Sequence, residues 1–203
     1  HTTAVNITRM FGVTGRVIVE TNMGALGCIM AYGTDAQRQT VARRILEEGD
    51  KPAIGMTEPE AGTALTDLQS TAEKKGDRFI INGTKHWITG GGISVTNLIF
   101  ARFFENGEDI GIGGLLVDKD TAGFTFGRVE RAMGLRGIPE TELIFDDCAV
   151  PDENVVVMGD GSESFKKLMY GYNGQRVGAS AVALGIAQGA HELAIDWMKK
   201  REA

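Results

Sequence analysis

The chain has 203 residues, of which 42% are hydrophobic and 24% are charged, a composition typical of a globular protein with one large or two small domains. Its formal net charge of −6 argues against general affinity for nucleic acid or anionic lipid, because an acidic surface repels both. No apolar run approaches the roughly 20 residues that span a bilayer, and the first residues lack the cationic and apolar regions of a signal peptide. Cys28 and Cys148 have no CxxC spacing and no neighbouring His cluster, which favours buried free thiols in a reducing compartment over a disulfide or a metal site.

Two helices are expected before residue 50. Residues 13–32 are mostly apolar with small residues interspersed, and they predict one buried helix. The stretch DAQRQTVARRILEEG predicts a second helix that begins with Asp35 as its cap and ends at Gly49. The apolar side chains of this helix recur at helical spacing at Val41, Ile45 and Leu46.

From about residue 51 the hydrophobic pattern alternates, as it does in strands. Strands are predicted at 68–75, 78–81 and 84–89, with a turn at Lys75-Gly76-Asp77 and a two-residue hairpin turn at Asn82-Gly83. Further strands are predicted in the segments NLIFARF, IGGLLVDK, FTFGRV and TELIFDDCAV. Short strands at such regular spacing predict an antiparallel barrel or sandwich.

The last part of the chain predicts a long helix that begins after MGDGSES, with Ser162 or Ser164 as its cap. Its alanine and glycine content indicates close packing against other helices. These patterns predict helices at 1–50, a β domain at 51–157 and a further helix at 158–203. The predicted class is α+β, and a chain that ends inside a helix is expected to be a fragment.

The segment GMTEPEAGT at residues 55–63 is the first that could bind a ligand. Gly62 permits positive φ, and the hydroxyls of Thr57 and Thr63 flank the loop. Exposed backbone N–H groups in such a loop can hold a phosphate or the polar edge of a heterocycle. The alternative is an ordinary turn between domains.

The segment KHWITGGG is the second candidate. Alternation along a strand puts Trp87 and Thr89 on one face and Ile88 on the other. An indole surface beside a hydroxyl suits a flat heteroaromatic ligand. The alternative is that Trp87 belongs to the core and that the three glycines form a turn. His86 points away and is interpreted as a surface or hydrogen-bonded residue rather than a catalyst.

The segment YNGQR in the last helix is the third candidate. Asn173 and Arg176 are three residues apart and share one helical face, where they could hold an anionic or amide-bearing ligand. A packing or salt-bridge role is the alternative.

Taken in order, the segments TEPEAGT, INGTKHWITGGG and MGLRGIPETELIFDDCAVPDENVV, followed by an alanine-rich helix with an arginine, resemble the acyl-CoA dehydrogenase family of flavoproteins from residue 22 onward. The resemblance implies that residues 1–50 are the end of an N-terminal helical domain, that 51–157 are the middle β domain and that 158–203 are the first helix of a C-terminal helical domain. It implies FAD between the middle β domain and the C-terminal helical domain. It also implies α,β-dehydrogenation of an acyl-CoA thioester, a homotetramer, electron-transferring flavoprotein as electron acceptor, and a cytoplasmic or, in a eukaryote, mitochondrial matrix location. The alternatives are an acyl-CoA oxidase or flavin monooxygenase of the same fold, or a noncatalytic binding or assembly module.

The same resemblance assigns roles to individual residues. Trp87 is expected to pack against the flavin, Thr89 to hydrogen-bond near flavin N5, and Arg201 to reach the FAD of a neighbouring subunit. The full set of expected FAD contacts is Met56, Thr57, Gly62, Thr63, Trp87, Ile88, Thr89 and Arg201. The expected acyl-CoA contacts are Thr63, Asn173, Gln175 and Arg176.

The catalytic base is expected beyond Ala203, in the part of the family sequence that follows this chain. A minority of family members carry the base at the position of Gln175, but a neutral amide cannot accept the α proton. No catalytic residue is therefore predicted among these residues.

Overall fold

The computed structural model describes residues 2–20, 24–134 and 136–202, without the side chains of residues 17–20. Four helices precede the sheet: α1 (Thr2–Phe11), α2 (Val13–Glu20), α3 (Gly24–Tyr32) and α4 (Asp35–Glu48). The prediction of two helices in this region is therefore wrong. The stretch predicted as one buried helix contains α2 and α3, and its residues 21–23 lie outside the described residues.

Helices α2 and α3 differ in how deeply their side chains are buried. Cys28 and Ile29 of α3 are fully buried, whereas Val13 at the start of α2 is 48% exposed. Composition alone could not distinguish them, because an apolar stretch is buried only where another element covers it.

Helix α4 begins and ends with recognisable caps. Thr34, not Asp35, is the N-cap: its hydroxyl accepts the Gln37 N–H at 3.2 Å, and the Gln37 side chain accepts the Thr34 N–H at 2.9 Å. Gly49 ends the helix with φ 72°, which confirms the predicted terminus. Of the predicted apolar face, Val41 is buried, but Leu46 is 83% exposed.

Eight strands form one open sheet in the order β6-β7-β3-β2-β4-β5-β8, with β1 also paired to β4. Their bounds are β1 (Ala53–Gly55), β2 (Thr71–Lys75), β3 (Arg78–Thr89), β4 (Thr96–Glu105), β5 (Glu108–Asp118), β6 (Phe124–Val129), β7 (Glu140–Pro151) and β8 (Val155–Val157). All pairs are antiparallel except β1–β4 and β2–β4. The predicted α+β class is confirmed, and within the described residues the sheet stays open instead of closing into a barrel.

The hairpin turn predicted at Asn82-Gly83 is wrong, because β3 runs through it without a break. Asn82 instead faces a bulge in β7, where Asp147 adopts φ 46° and donates its N–H to the Asn82 side chain at 2.8 Å. The tight Asn-Gly turn of this sheet is Asn106-Gly107, between β4 and β5, with φ values of 53° and 82°.

Strand β4 is buried on both faces and separates two apolar clusters. Leu98 and Phe100 face the cluster beneath α3 and the last helix, while Ile99 and Phe103 face a cluster formed between the strands. The sheet thus has one face covered by helices, and this interface contains the site described below.

The last helix, α5 (Gly161–Lys200), has 40 residues, so it is about 60 Å long. Its N-cap is Asp160, and neither predicted serine caps it: Ser164 lies inside the first turn and its hydroxyl accepts the Asp160 N–H at 3.0 Å. Close helix packing is present, since a Cβ on Gly171 would lie 2.9 Å from the Cα of Cys28. No helix in the described part of the chain is long and apolar enough to cross a membrane. The division into three domains stays a prediction.

Candidate functional site

One pocket lies where the start of the sheet, the end of β3 and helices α2, α3 and α5 meet. It has a volume of about 120 Å³. Five of the eight residues predicted to contact a cofactor line it, namely Met56, Thr57, Trp87, Ile88 and Thr89. Gln175, a predicted substrate contact, also lines the pocket, together with Tyr172 of the last helix. The pocket therefore joins two segments that the sequence separates by more than 80 residues.

The segment that carries Met56 and Thr57 is anchored by a buried ion pair. Lys85 Nζ lies 2.6 Å from Glu58 Oε1, and the two side chains are 0% and 3% exposed. Glu58 also accepts the backbone N–H groups of Gln69 at 2.6 Å and Ser70 at 3.0 Å. The ion pair ties the segment to β3, and the other two bonds tie it to the residues just before β2, so Thr57 reaches the pocket on a fixed backbone.

The pKa values of both groups in this ion pair lie below their usual values. Burial lowers the pKa of Lys85 to about 8, although the neighbouring Glu58 carboxylate opposes that change. Burial pushes the pKa of Glu58 upward, but the charge of Lys85 and the hydrogen bonds to the carboxylate outweigh it and lower the pKa below its usual value. Glu58 therefore remains ionised at neutral pH.

Trp87 stands on a bulge in β3. Between the pairs Lys85–Leu143 and Ile88–Thr141, β3 has one residue more than β7, and Trp87 adopts φ 60°. The indole is consequently 50% exposed while Ile88 is 2% exposed. The alternative interpretation of Trp87 as a core residue is wrong, and the strict alternation predicted for this strand is interrupted where the indole turns to the pocket.

His86 lies behind the indole and is hydrogen-bonded. Its ring centre is 5.1 Å from that of Trp87, and its Nε2 lies 2.8 Å from Glu130 Oε1. Hydrogen bonds from His86 and Arg128 lower the pKa of the Glu130 carboxyl, so Glu130 accepts and His86 Nε2 donates. The interpretation of His86 as a hydrogen-bonded residue is confirmed, and its lack of a catalytic role stays a prediction.

Thr89 donates its hydroxyl proton to a carboxylate. Its Oγ1 lies 2.8 Å from Glu140 Oε2 and 3.1 Å from Oε1, at the end of the β3–β7 pairing. A hydroxyl has a single proton, so towards the pocket Thr89 retains only acceptor capacity. Its expected bond near flavin N5 stays a prediction, and Glu140 is a neighbour that the sequence motif did not indicate.

The amide of Gln175 contains an unsatisfied oxygen. Gln175 Oε1 is buried and has no hydrogen-bond partner among the described residues, although it lines the pocket. Such a group is costly to bury, so a ligand N–H or O–H in the pocket would satisfy it. Gly24 of α3 makes room for this amide, because any Cβ at that position would overlap Gln175 Oε1.

Residues 53–148 match the family described as the acyl-CoA dehydrogenase middle domain. The chain belongs to the acyl-CoA dehydrogenase family. The 3-sulfinopropanoyl-CoA desulfinase of Paraburkholderia xenovorans is 51% identical over 198 residues, which cover 97% of this chain and 50% of that protein.

Solved structures of this family superimpose closely. Butyryl-CoA dehydrogenase from Megasphaera elsdenii gives a TM-score of 0.87 at 31% identity, over 98% of this chain and 52% of that chain. Glutaryl-CoA dehydrogenase from Mycobacterium smegmatis in complex with FADH2 gives 0.86 at 26% identity, over 98% and 50%. The chain thus spans about half the length of the relatives it matches.

The other residues assigned by the family motif lie outside the pocket. Gly62 and Thr63 are in an exposed turn, and Arg201 is exposed just beyond α5. Asn173 and Arg176 are exposed on α5 and bonded to each other, with Arg176 Nη1 donating to Asn173 Oδ1 at 3.0 Å. The shared helical face predicted for them is present, but the chain alone does not bring them to Trp87. Leu135 of the motif MGLRGIPE and Ala203 lie outside the described residues.

Two residues that line this pocket were not predicted. Arg16 of α2 and Tyr172 of α5 line the pocket beside Gln175. A single arginine inside the apolar stretch VTGRVIVE was the available signal for Arg16. Both cysteines are buried free thiols, as expected, and burial raises the pKa of Cys28 to about 12 and that of Cys148 to about 11. Within the described part of the chain no group of His, Cys, Asp and Glu side chains could hold a metal ion.

Proposed function

We propose that the chain forms the FAD-binding and acyl-CoA-binding core of an enzyme that carries out α,β-dehydrogenation of an acyl-CoA thioester. The observation that supports it is the pocket in which Met56, Thr57 and Trp87 meet Gln175 of α5. Membership of the acyl-CoA dehydrogenase family supports the same reaction. The activity is proposed for the whole protein, of which this chain provides the flavin-facing walls.

The pocket residues fit the edge of a flavin. The half-exposed indole of Trp87 offers a stacking surface, and the unsatisfied Gln175 oxygen and the Thr89 oxygen offer hydrogen-bond acceptors. A volume of about 120 Å³ corresponds to about four water molecules, so the pocket would hold only part of the ring system. We propose Gly62, Thr63 and, on a neighbouring subunit, Arg201 as further FAD contacts.

The protein residues would bind and align the reactants. Bound FAD would supply the acceptor for the β hydrogen. Gln175 is proposed as an acyl-CoA contact in the pocket, and Asn173 and Arg176, with Thr63, are proposed to hold the pantetheine chain of acyl-CoA. Alignment of this kind increases the reaction rate, because reactants that are already held in the correct geometry react as if they were one molecule. The base that removes the α proton is proposed to lie beyond residue 203. From the family we also propose electron-transferring flavoprotein as the electron acceptor, a homotetrameric assembly and a cytoplasmic location.

The experiment that tests this function uses the colour of the full-length protein. The purified protein should show flavin absorbance, and an acyl-CoA should bleach it under anaerobic conditions. Rapid reoxidation of the substrate-reduced protein by oxygen would favour an oxidase instead. A colourless protein that cannot be reconstituted with FAD would exclude the flavoenzyme and leave the noncatalytic binding or assembly module.

A second candidate is removal of a sulfinate group from a 3-sulfinoacyl-CoA. Two observations favour it: a relative named for this activity is 51% identical to the chain, and the pocket that contains Trp87 and the neutral amide of Gln175 is also lined by the cation of Arg16. A guanidinium is suited to an anionic acyl terminus, since it pairs with two acceptor oxygens at once.

The two reactions differ in what is released. In desulfination the Cβ–S bond breaks, a proton takes the place of sulfur on carbon, and water supplies the oxygen that makes sulfite, so no hydride leaves the substrate. Incubation of the full-length protein with 3-sulfinopropanoyl-CoA would then yield sulfite without flavin bleaching. Bleaching by butyryl-CoA without sulfite release from the sulfinate substrate would select dehydrogenation.

A further inference from the structure

The Trp87 indole owes its direction to the bulge in β3. Because β3 has an extra residue at this point, Trp87 turns out of the sheet and half of its surface is exposed. An aromatic ring that is to stack on a ligand must also be held at the correct tilt. Ile88, which follows it, is buried and points away into the core.

The His86 ring is the aromatic neighbour of this indole. The two ring centres are 5.1 Å apart and the planes are tilted by 40°, a separation at which aromatic pairs attract. His86 is fixed at two points. Its backbone N–H donates to the Thr57 carbonyl at 2.8 Å, and its Nε2 donates to Glu130 Oε1 at 2.8 Å.

Glu130 is itself held in place. Arg128 donates to the same carboxylate through Nε at 2.8 Å and Nη2 at 2.6 Å. The backbone N–H of Glu130 donates to the Glu140 carbonyl at 2.8 Å, which connects it to the start of β7. A chain of contacts therefore runs from β7 through Glu130 and His86 to the indole, on the side away from the pocket.

We propose that His86 is a positioning residue that holds the Trp87 indole against the bound flavin, and that Glu130 orients the His86 ring for this purpose. The proposal rests on the proposed FAD site. It assigns His86 no proton transfer, since its Nε2 proton is engaged by Glu130. The bond from the His86 backbone to Thr57 survives any substitution of the side chain, so a variant at 86 tests the ring alone.

The test measures FAD affinity in the full-length protein by titrating the apoprotein with FAD. His86→Ala should raise the FAD dissociation constant about fivefold, the size of one aromatic pair. In a Trp87→Ala background the same substitution should change nothing, because no indole remains to be held. Glu130→Ala should cause a smaller loss with the same dependence on Trp87, and His86→Phe should restore most of the affinity. His191→Ala, at an exposed histidine of α5, is the matched control.

The outcomes separate this proposal from the proposed function. If Trp87→Ala leaves FAD affinity unchanged, the flavin site itself is wrong. If Trp87→Ala weakens FAD but His86→Ala does not, or if His86→Ala costs as much without the indole, the positioning role is overturned. A second readout needs no flavin: the part of the tryptophan emission that Trp87→Ala removes should shift in His86→Ala, and an unchanged emission would also overturn the proposal.

Discussion

The Lys85 ammonium lies 2.6 Å from the Glu58 carboxylate, and both side chains are withdrawn from solvent directly beneath the segment that carries Met56 and Thr57. A Cβ at Gly55 would lie 2.7 Å from Ile99 Cδ1 and 3.4 Å from the Lys85 side chain, so the absence of a side chain at Gly55 leaves room chiefly for Ile99. A buried ion pair of this kind stabilises the fold little or no more than apolar residues of similar size would. Removing one partner, however, destabilises the fold because it leaves an uncompensated buried charge. The pair therefore fixes the local backbone more than it stabilises the fold.

Lys85→Met should lower the free energy of unfolding by about 3–5 kcal/mol, because Glu58 then stays buried without its cation. Urea denaturation of the full-length protein measures the loss. Adding Glu58→Gln should recover part of it, since the neutral amide still accepts a backbone N–H. Losses that simply add in the double variant would show that the two groups are not coupled.

The pH dependence of stability should carry the signature of Lys85. Its pKa is lowered by burial to about 8 in the folded protein from 10.5, so between these values the unfolded chain binds the extra proton. Stability contributed by this group therefore rises with pH in that window, by at most about 3 kcal/mol. The difference in unfolding free energy between wild type and Lys85→Met should grow from pH 8 to about 10.5. A difference that is flat across this range would contradict the lowered pKa.

Trp87→Ala should weaken FAD retention, because the half-exposed indole provides the stacking wall of the pocket. We expect about a tenfold increase in the FAD dissociation constant, with Trp87→Phe in between. Flavin content after gel filtration and titration of the apoprotein both measure it. Trp197→Ala is the control, since Trp197 is also exposed but lies near the end of α5. Equal flavin content in the two variants would show that Trp87 is not part of the FAD site.

The family and most of the strands could be predicted from sequence, because ordered motifs and period-two patterns are local signals. The bulge at Trp87 could not, since it depends on the register of β3 against β7, more than 50 residues later. Strand pairing decides between the two Asn-Gly pairs: Asn82-Gly83 lies within β3 opposite β7, whereas Asn106-Gly107 joins β4 and β5 and turns. The roles of Glu140, Lys85 and Arg16 were not predicted, because they depend on tertiary contacts that no short motif encodes.

Gly24→Ala tests whether Gln175 belongs to the acyl site. A Cβ at position 24 would overlap the Gln175 amide oxygen and would also meet Ile54 at 3.2 Å, so the amide must leave its position. Binding of acyl-CoA, measured by isothermal titration with a substrate analogue, should weaken about tenfold or more, as expected when a positioned polar group is lost from a pocket. Gly174→Ala is the matched control: it lies next to Gln175 on α5, a Cβ there meets nothing within 4 Å, and it should stabilise the helix by up to about 1 kcal/mol. Unchanged acyl-CoA binding in Gly24→Ala, with the flavin still bound, would place Gln175 outside the substrate site.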